Sequence, residues 1–168
     1  TTETYLLEHI FKAQGQATGI LGTVEYRWPG YHKASDLTTP GCLELHALFA
    51  NMAQAGTTLA CMEVSSHAID QKRVAGLNFS GALITNLTQD HLDYHADLQE
   101  YFDTKAKLFR PLTQNGLPYE NKIGAVNADD RWCRQLLKEN KQLIGYGITE
   151  GSVGGTRHLF GEILGMTP

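Results

Sequence analysis

The chain has no cysteine pair, no basic run and no long apolar stretch. Its three cysteines, Cys42, Cys61 and Cys133, lie far apart and form no Cys-x-x-Cys motif. An odd, scattered set excludes a disulfide framework and reads as free thiols in a reducing, cytoplasmic compartment. Cys61 sits inside an apolar run and reads as a small buried hydrophobe. There is no lysine-arginine run, and the formal net charge is −4. That balance argues against general nucleic-acid or anionic-membrane binding. Nothing approaches the ~20 apolar residues that span a bilayer, and Thr-Thr-Glu does not open a signal peptide. Internal repeats and low-complexity tracts are absent as well. So are a starting methionine and a leading strand, and the expectation is that a native N-terminal part precedes Thr1.

What remains is ordinary globular material. The 168 residues are 42% apolar and 19% charged. A chain of this length suits one domain, which buries roughly two-thirds of its unfolded surface. Periodicity predicts a helix over Thr2–Lys12, with Leu6, Leu7, Ile10 and Phe11 as its apolar stripe. Ala17–Val24 reads as a strand loosened by glycines, and Tyr26–Ser35, rich in Pro, Gly and aromatics, as a loop. Asp36–Gly41 is a polar turn in which proline biases Thr39 toward an extended conformation, displaying Thr38 and Thr39. On its own this turn reads as a helix-start loop. Leu45, Leu48, Phe49, Met52 and Ala53 mark one buried face of a helix over Glu44–Ala55.

The stretch 62–109 organises the rest. Two apolar runs, Thr58–Val64 and Phe79–Asn86, read as buried strands, with Ala68–Arg73 between them as a short helix or turn. Each ends in a polar cluster: Glu63, Ser65, Ser66 and His67, then Asn86, Asp90, His91, Asp93 and His95. Ligands of open parallel sheets sit beyond the carboxyl ends of strands, so two adjacent ends would face one crevice. Asp97–Phe109 follows as a helix, then a strand at Ile123–Val126. Asn127–Asp130 suits the cap of a helix over Arg131–Asn140, and a last strand covers Leu143–Tyr146. Strands alternating with helices give an α/β fold with a mostly parallel sheet flanked by helices. Residues 1–148 form this domain, and the glycine-rich tail 149–168 is left unassigned.

Lys105 falls on the same helical face as Leu98, Tyr101, Phe102 and Phe109, whereas Lys107 points elsewhere. Such a lysine either snorkels to water or aims into a site, and spacing alone favours snorkelling. Burial would lower its pKa and make it nucleophilic. Glu63 at a buried strand end needs a partner, a cation or water. The acids before the Asp97 helix are explained in part by capping. His91 and His95 are spaced as a helical metal pair, but without His-Glu-x-x-His the zinc-protease reading is weak. Mg²⁺ uses few protein ligands and keeps waters, so Glu63, His91 and a modified Lys105 would supply such an incomplete shell. No glycine-rich phosphate loop is present, although Thr1-Thr2 at the head of a helix resembles the point just past the lysine of one.

Taken together, several ordered motifs resemble the Mur ligases of bacterial cell-wall synthesis over roughly 1–148. These are Thr-Thr-Glu-Thr-Tyr-Leu-Leu-Glu-His-Ile; Leu37-Thr38-Thr39-Pro40; and Met62-Glu63-Val64-Ser65-Ser66-His67-Ala68 with Gln71 and Arg73. Thr85-Asn86-Leu87 with Asp90-His91-Leu92-Asp93-Tyr94-His95, and Lys105 in Tyr-Phe-Asp-Thr-Lys-Ala-Lys-Leu-Phe, complete the set. The Thr-Thr-Pro and Ser-Ser-His-Ala elements favour the branch that adds the third peptide residue to UDP-MurNAc-L-Ala-D-Glu over its siblings and over folylpolyglutamate synthetase.

The resemblance implies a P-loop-type central domain lacking its first strand and phosphate loop. It implies an ATP-driven amide ligase that works through an acyl phosphate, with the UDP-MurNAc-dipeptide and an amino acid as substrates. Thr1 matches the loop hydroxyl on Mg²⁺, Glu63 its acidic partner, and His91 a ligand of a second Mg²⁺. Lys105 matches a carbamylated lysine, and Thr38, Thr39, Ser65, Gln71 and Arg73 match substrate contacts. The family's uridine-binding domain, loop glycine and lysine, adenine-contacting segment and C-terminal domain have no counterpart in this sequence. The expectation is therefore a fragment inactive on its own, whose acceptor (diaminopimelate or lysine) the sequence does not decide. Two other readings are a metal-dependent hydrolase using Glu63, Asp90, His91 and His95, and a non-catalytic folded fragment. Open sheet edges would invite oligomers through strand pairing.

Overall fold

The computed structural model describes residues 1–109, 123–140, 143–148 and 157–160. The chain divides into two units, Thr1–Leu77 and Asn78–Pro168. Each carries its own four-stranded sheet, where one was expected. Among the described residues, four of the six strand pairings are parallel.

In the first unit, α1 (Thr2–Ala13) precedes β1 (Thr18–Leu21), β2 (Glu25–Trp28), β3 (Tyr31–Ala34), α2 (Cys42–Gln54), β4 (Leu59–Met62) and α3 (Ser66–Asp70). The sheet order is β3-β2-β1-β4, with β1 and β4 parallel. The segment read as a loop over Tyr26–Ser35 is largely the β2-β3 hairpin. Tyr26 and Trp28 point inward while Glu25 and Arg27 do not, which is the alternation of a half-buried strand. Pro29 and Gly30 turn the chain, Gly30 at φ 79° where a side chain would be strained. Across the turn, Trp28 and Tyr31 stack at 3.9 Å.

Helix α1 buries a different face from the one its periodicity suggested. Leu6 and Ile10 are 59% and 52% exposed, and Thr4 and Glu8 are buried. The cause is ionic. Glu8 accepts two hydrogen bonds from Arg27 of β2, at 2.8 and 2.9 Å, and lies 2.8 Å from Lys12. In α2, Leu45, Leu48 and Met52 enter the core as expected, while Ala53 is exposed. They pack with Leu21, Tyr26 and Trp28.

The second unit runs β5 (Gly81–Ile84), α4 (Leu98–Ala106), β6 (Ile123–Asn127), α5 (Arg131–Glu139), β7 (Ile144–Gly147) and β8 (Arg157–Phe160). All pairings in its order β5-β6-β7-β8 are parallel. Thus β4 and β5, the two strands expected side by side, belong to different sheets. Strand β8 falls in the stretch left unassigned by sequence; 149–156 and 161–168 lie outside the described residues. Asp130 caps α5 by accepting from the Trp132 and Cys133 amides, both at 2.9 Å. Its other oxygen accepts from the Leu87 amide at 3.3 Å, tying the exit of β5 to the start of α5. Ile84, Tyr101, Phe102, Phe109, Val126 and Leu136 lie at the centre of this core. All three cysteines are free, with Cys61 and Cys133 buried.

Candidate functional site

Glu63 directly follows β4, and its amide extends the ladder by donating to the Leu21 carbonyl at 2.9 Å. Its carboxylate is mostly shielded and collects hydroxyls. Thr1 donates to Oε2 at 3.0 Å, and Thr23 donates to Oε2 through its hydroxyl at 2.8 Å and to Oε1 through its amide at 3.2 Å. Burial pushes the Glu63 carboxyl up, but the Thr23 hydroxyl and amide and the Thr1 hydroxyl outweigh it and hold the group below its ordinary range. Thr1 stands at the N-cap of α1 without bonding a helix amide through its side chain, so its hydroxyl is turned to Glu63. Thr38 joins the cluster, its hydroxyl 3.1 Å from that of Thr23.

Thr39 does not display its hydroxyl. It is 1% exposed. The hydroxyl donates to the Glu63 carbonyl at 2.9 Å and accepts from the Ser65 amide at 3.1 Å. Thr39 is thus a bolt that holds the 36–41 turn against the end of β4. Ser65 caps α3 by accepting from the Ala68 amide at 3.2 Å. Arg73 donates to the Thr39 carbonyl at 3.0 Å and twice to Gln71 Oε1, at 2.9 and 2.5 Å. Gln71 and Thr39 therefore fix the plane of the guanidinium, which suits it to fork onto a carboxylate or phosphate.

The remaining site residues lie in the second unit. Asp97 caps α4 by accepting from the Glu100 amide at 2.8 Å, and Glu100 reaches back to the Ala96 amide at 2.7 Å. Capping therefore accounts for Asp97. His91 has φ 55°, a left-handed conformation that is strained for a side-chain residue. Its carbonyl accepts from the Tyr94 and His95 amides at 3.1 and 2.9 Å, and its own amide donates to Asp90 at 2.8 Å. His95 is 2% exposed, with its ring against those of Tyr94 and Tyr101. That burial makes it a core histidine. Among the described residues, no group of three or more His, Cys, Asp and Glu is arranged to hold a metal ion. The hydrolase reading, which needed such a set, has no support among them.

Lys105 is half-buried, not snorkelled clear. Its Nζ lies 5.0 Å from the centre of the Tyr101 ring. Burial lowers its pKa, with Asp90 and Cys133 pulling the other way. Lys107 is exposed, as its position on the helix predicts.

Sequence reasoning missed Thr23 and Gly22. A Cβ on Gly22 would collide with the Glu63 carboxylate. The visible signal was a Gly-Thr pair closing an apolar run. Gly22→Ala is expected to destabilise the chain by about 1–3 kcal/mol, as overpacking does. The urea midpoint should fall at unchanged slope. Adding Glu63→Ala should recover part of the loss; strict additivity of the two changes would rule the clash out.

Known proteins resemble this chain in sequence and in fold. The Mur ligase middle domain family matches residues 1–160. The UDP-N-acetylmuramoyl-L-alanyl-D-glutamate–2,6-diaminopimelate ligase of Lawsonia intracellularis is 50% identical over 98% of this chain and 33% of its own length. The ligase of the same name from Gloeobacter violaceus is 44% identical over 90% of this chain and 30% of its own. A solved structure of a ligase of that name superposes with a TM-score of 0.73 at 26% identity, covering 89% of this chain and 30% of that one. The chain thus spans about a third of the relatives' length. With nearly all of it matched, the chain belongs to the family of Mur ligase middle domains.

Proposed function

We propose that this chain is the central segment of an ATP-dependent ligase of peptidoglycan synthesis. The ligase joins the glutamate carboxylate of UDP-N-acetylmuramoyl-L-alanyl-D-glutamate to an amine of 2,6-diaminopimelate. The names of the relatives support both substrates. The carrying observation is Lys105, an amine half-buried on the apolar face of α4 with its pKa lowered by burial. Only a neutral amine adds CO₂: the ammonium first gives up one proton, the N–C bond then forms as a second proton leaves, and a cation becomes a carbamate anion.

In the proposed reaction the substrate carboxylate bonds to the γ-phosphorus of ATP as ADP departs. The incoming amine then attacks the carbonyl carbon, the C–N bond forms, and phosphate leaves with the acyl oxygen. Positioning and charge stabilisation supply the catalysis of such transfers. Arg73, held by Gln71 and the Thr39 carbonyl, presents its guanidinium to substrate anions, and the hydroxyls of Thr38 and Ser65 are further substrate contacts in this reading. Thr39 serves this site by fixing the turn. Hard oxygens from Thr1 and Glu63 fit one Mg²⁺, and an imidazole from His91 with a carbamate on Lys105 fits a second; each pair would hold its own ion. Bound Mg²⁺ offsets the charge on the transferred phosphoryl group.

A cytoplasmic location fits the unpaired cysteines and the nucleotide substrates. Among the described residues no helix is long and apolar enough to cross a membrane. Among the described residues β3, β4, β5 and β8 end their sheets, and strand pairing at such edges is the proposed route to an oligomer.

Two measurements test the proposal. A manganese and bicarbonate soak should place anomalous density beside His91 and extra density on Lys105 Nζ; an unmodified Lys105 with no metal at His91 would defeat the metal assignment. The 168-residue chain alone should release no phosphate from ATP with the UDP-dipeptide and diaminopimelate. Turnover by the chain alone would show that the rest of the ligase is dispensable, against the proposal.

A further inference from the structure

The aromatic contacts of the second unit converge on one side chain. Tyr101 is 6% exposed and sits on the buried face of α4. The His91 ring meets its ring edge-on, with centroids 5.7 Å apart and planes at 76°. The Lys105 Nζ lies over the same ring at 5.0 Å from its centre. His95, itself buried, backs it at 5.3 Å. Tyr101 is thus in contact with both second-unit residues assigned to the metal, one on the loop and one on the helix. The backbone supports the same arrangement: His91 is locked at φ 55° by the turn that its carbonyl closes onto Tyr94 and His95. A locked backbone leaves the ring direction of His91 to its neighbours, among them the Tyr101 ring and the Asp90 carboxylate, 3.6 Å from Nε2.

We propose that Tyr101 is a positioning residue, whose ring sets the mutual placement of the His91 imidazole and the Lys105 amine. Buried rings hold neighbours through face and edge geometry, which an aliphatic side chain of similar volume lacks. The inference rests on the metal reading above. Groups that orient a metal ligand without touching the ion typically govern affinity by 10–100-fold.

The test is Mn²⁺ affinity of the 168-residue chain in bicarbonate buffer, read by electron paramagnetic resonance of free Mn²⁺. Four variants are compared with the parent: Tyr101→Phe, Tyr101→Leu, Phe102→Leu and His91→Ala. Phe102 neighbours Tyr101 on α4, is also buried, and packs on Trp132. Tyr101→Phe keeps the ring and should stay within about twofold of the parent. Tyr101→Leu should weaken binding by about tenfold or more. Phe102→Leu, a comparable loss from the same core, should leave affinity within about twofold, and His91→Ala should abolish binding at the second-unit site. If Tyr101→Leu binds like the parent while His91→Ala does not, Tyr101 is core only and the inference falls alone. Equal losses in Phe102→Leu and Tyr101→Leu overturn it too, since the cause is then general loosening. A loss in Tyr101→Phe assigns the effect to the hydroxyl and refutes the ring. No Mn²⁺ binding by the parent, or unchanged affinity in His91→Ala, removes the metal reading itself.

Discussion

In the full-length ligase carrying this segment, Lys105→Ala is expected to lower kcat by about 10²–10³-fold, the size of effect that follows loss of one preorganised charge partner. KM for the UDP-dipeptide should move far less, because Lys105 acts on developing charge and not on substrate capture. Lys105→Arg should fail equally: a guanidinium keeps its proton and cannot add CO₂. Stability should move the opposite way. The Lys105 ammonium is disfavoured by its half-buried seat on α4. Lys105→Met fills that seat without a charge and is expected to raise the melting temperature of the 168-residue chain. A residue whose removal stabilises the fold and stops the chemistry is held there for function. Steady-state kinetics and thermal unfolding check the pair. Turnover retained in Lys105→Arg would sink the carbamate, and a lowered melting temperature in Lys105→Met would make the lysine structural.

That lysine was legible because a helix writes its buried face into spacing, and a charge on that face stands out. The strand-end acid Glu63 was legible for a similar reason: a carboxylate closing an apolar run needs partners. Its partners were not. Thr23 lies 40 positions away in sequence, and a hydroxyl has no periodicity to betray it. Thr39 was read as displayed because proline extends the backbone before it, but extension does not decide which way a side chain points. Its hydroxyl found two backbone groups to satisfy and turned inward. The β2-β3 hairpin hid behind composition. Pro29 and Gly30 punctuate it, and the inward alternation of Tyr26 and Trp28 was masked by further aromatics. Helix α1 shows the strongest tertiary override: Leu6 and Ile10 look like a core stripe, yet an ion pair draws Glu8 inside instead.

Breaking that pair should destabilise the first unit sharply. Glu8 is 5% exposed and its carboxylate is forked by Arg27. Arg27 in turn donates through Nε to Glu25 at 3.0 Å, and Glu25 accepts from the Tyr5 hydroxyl at 2.8 Å. Arg27→Met strips the fork and leaves a buried carboxylate facing only the half-exposed Lys12. Removing one partner of a fully buried pair costs roughly 3–5 kcal/mol. Arg27 is partly exposed and Lys12 remains, so about 2–3 kcal/mol is expected, read as a lower urea midpoint. Replacing both partners, Glu8→Leu with Arg27→Met, should recover most of the loss, because two apolar side chains leave no charge stranded. The pH dependence supplies an independent check. Burial pushes the Glu8 carboxyl up, but hydrogen bonds from Lys12 and Arg27 outweigh it and hold its pKa below the ordinary 4.5. The Tyr5 hydroxyl, with Arg27 and His32, holds Glu25 down as well, against burial. A depressed folded pKa gives stability that is present above the unfolded pKa and is lost as pH falls through the folded one. The parent should therefore lose stability below about pH 4.5. In Arg27→Met the opposing burial is less well countered, so that acid loss should shrink. An unchanged midpoint, or an acid profile like the parent's, would mean that the fork contributes nothing and that Thr4 and the sheet contacts alone seat α1.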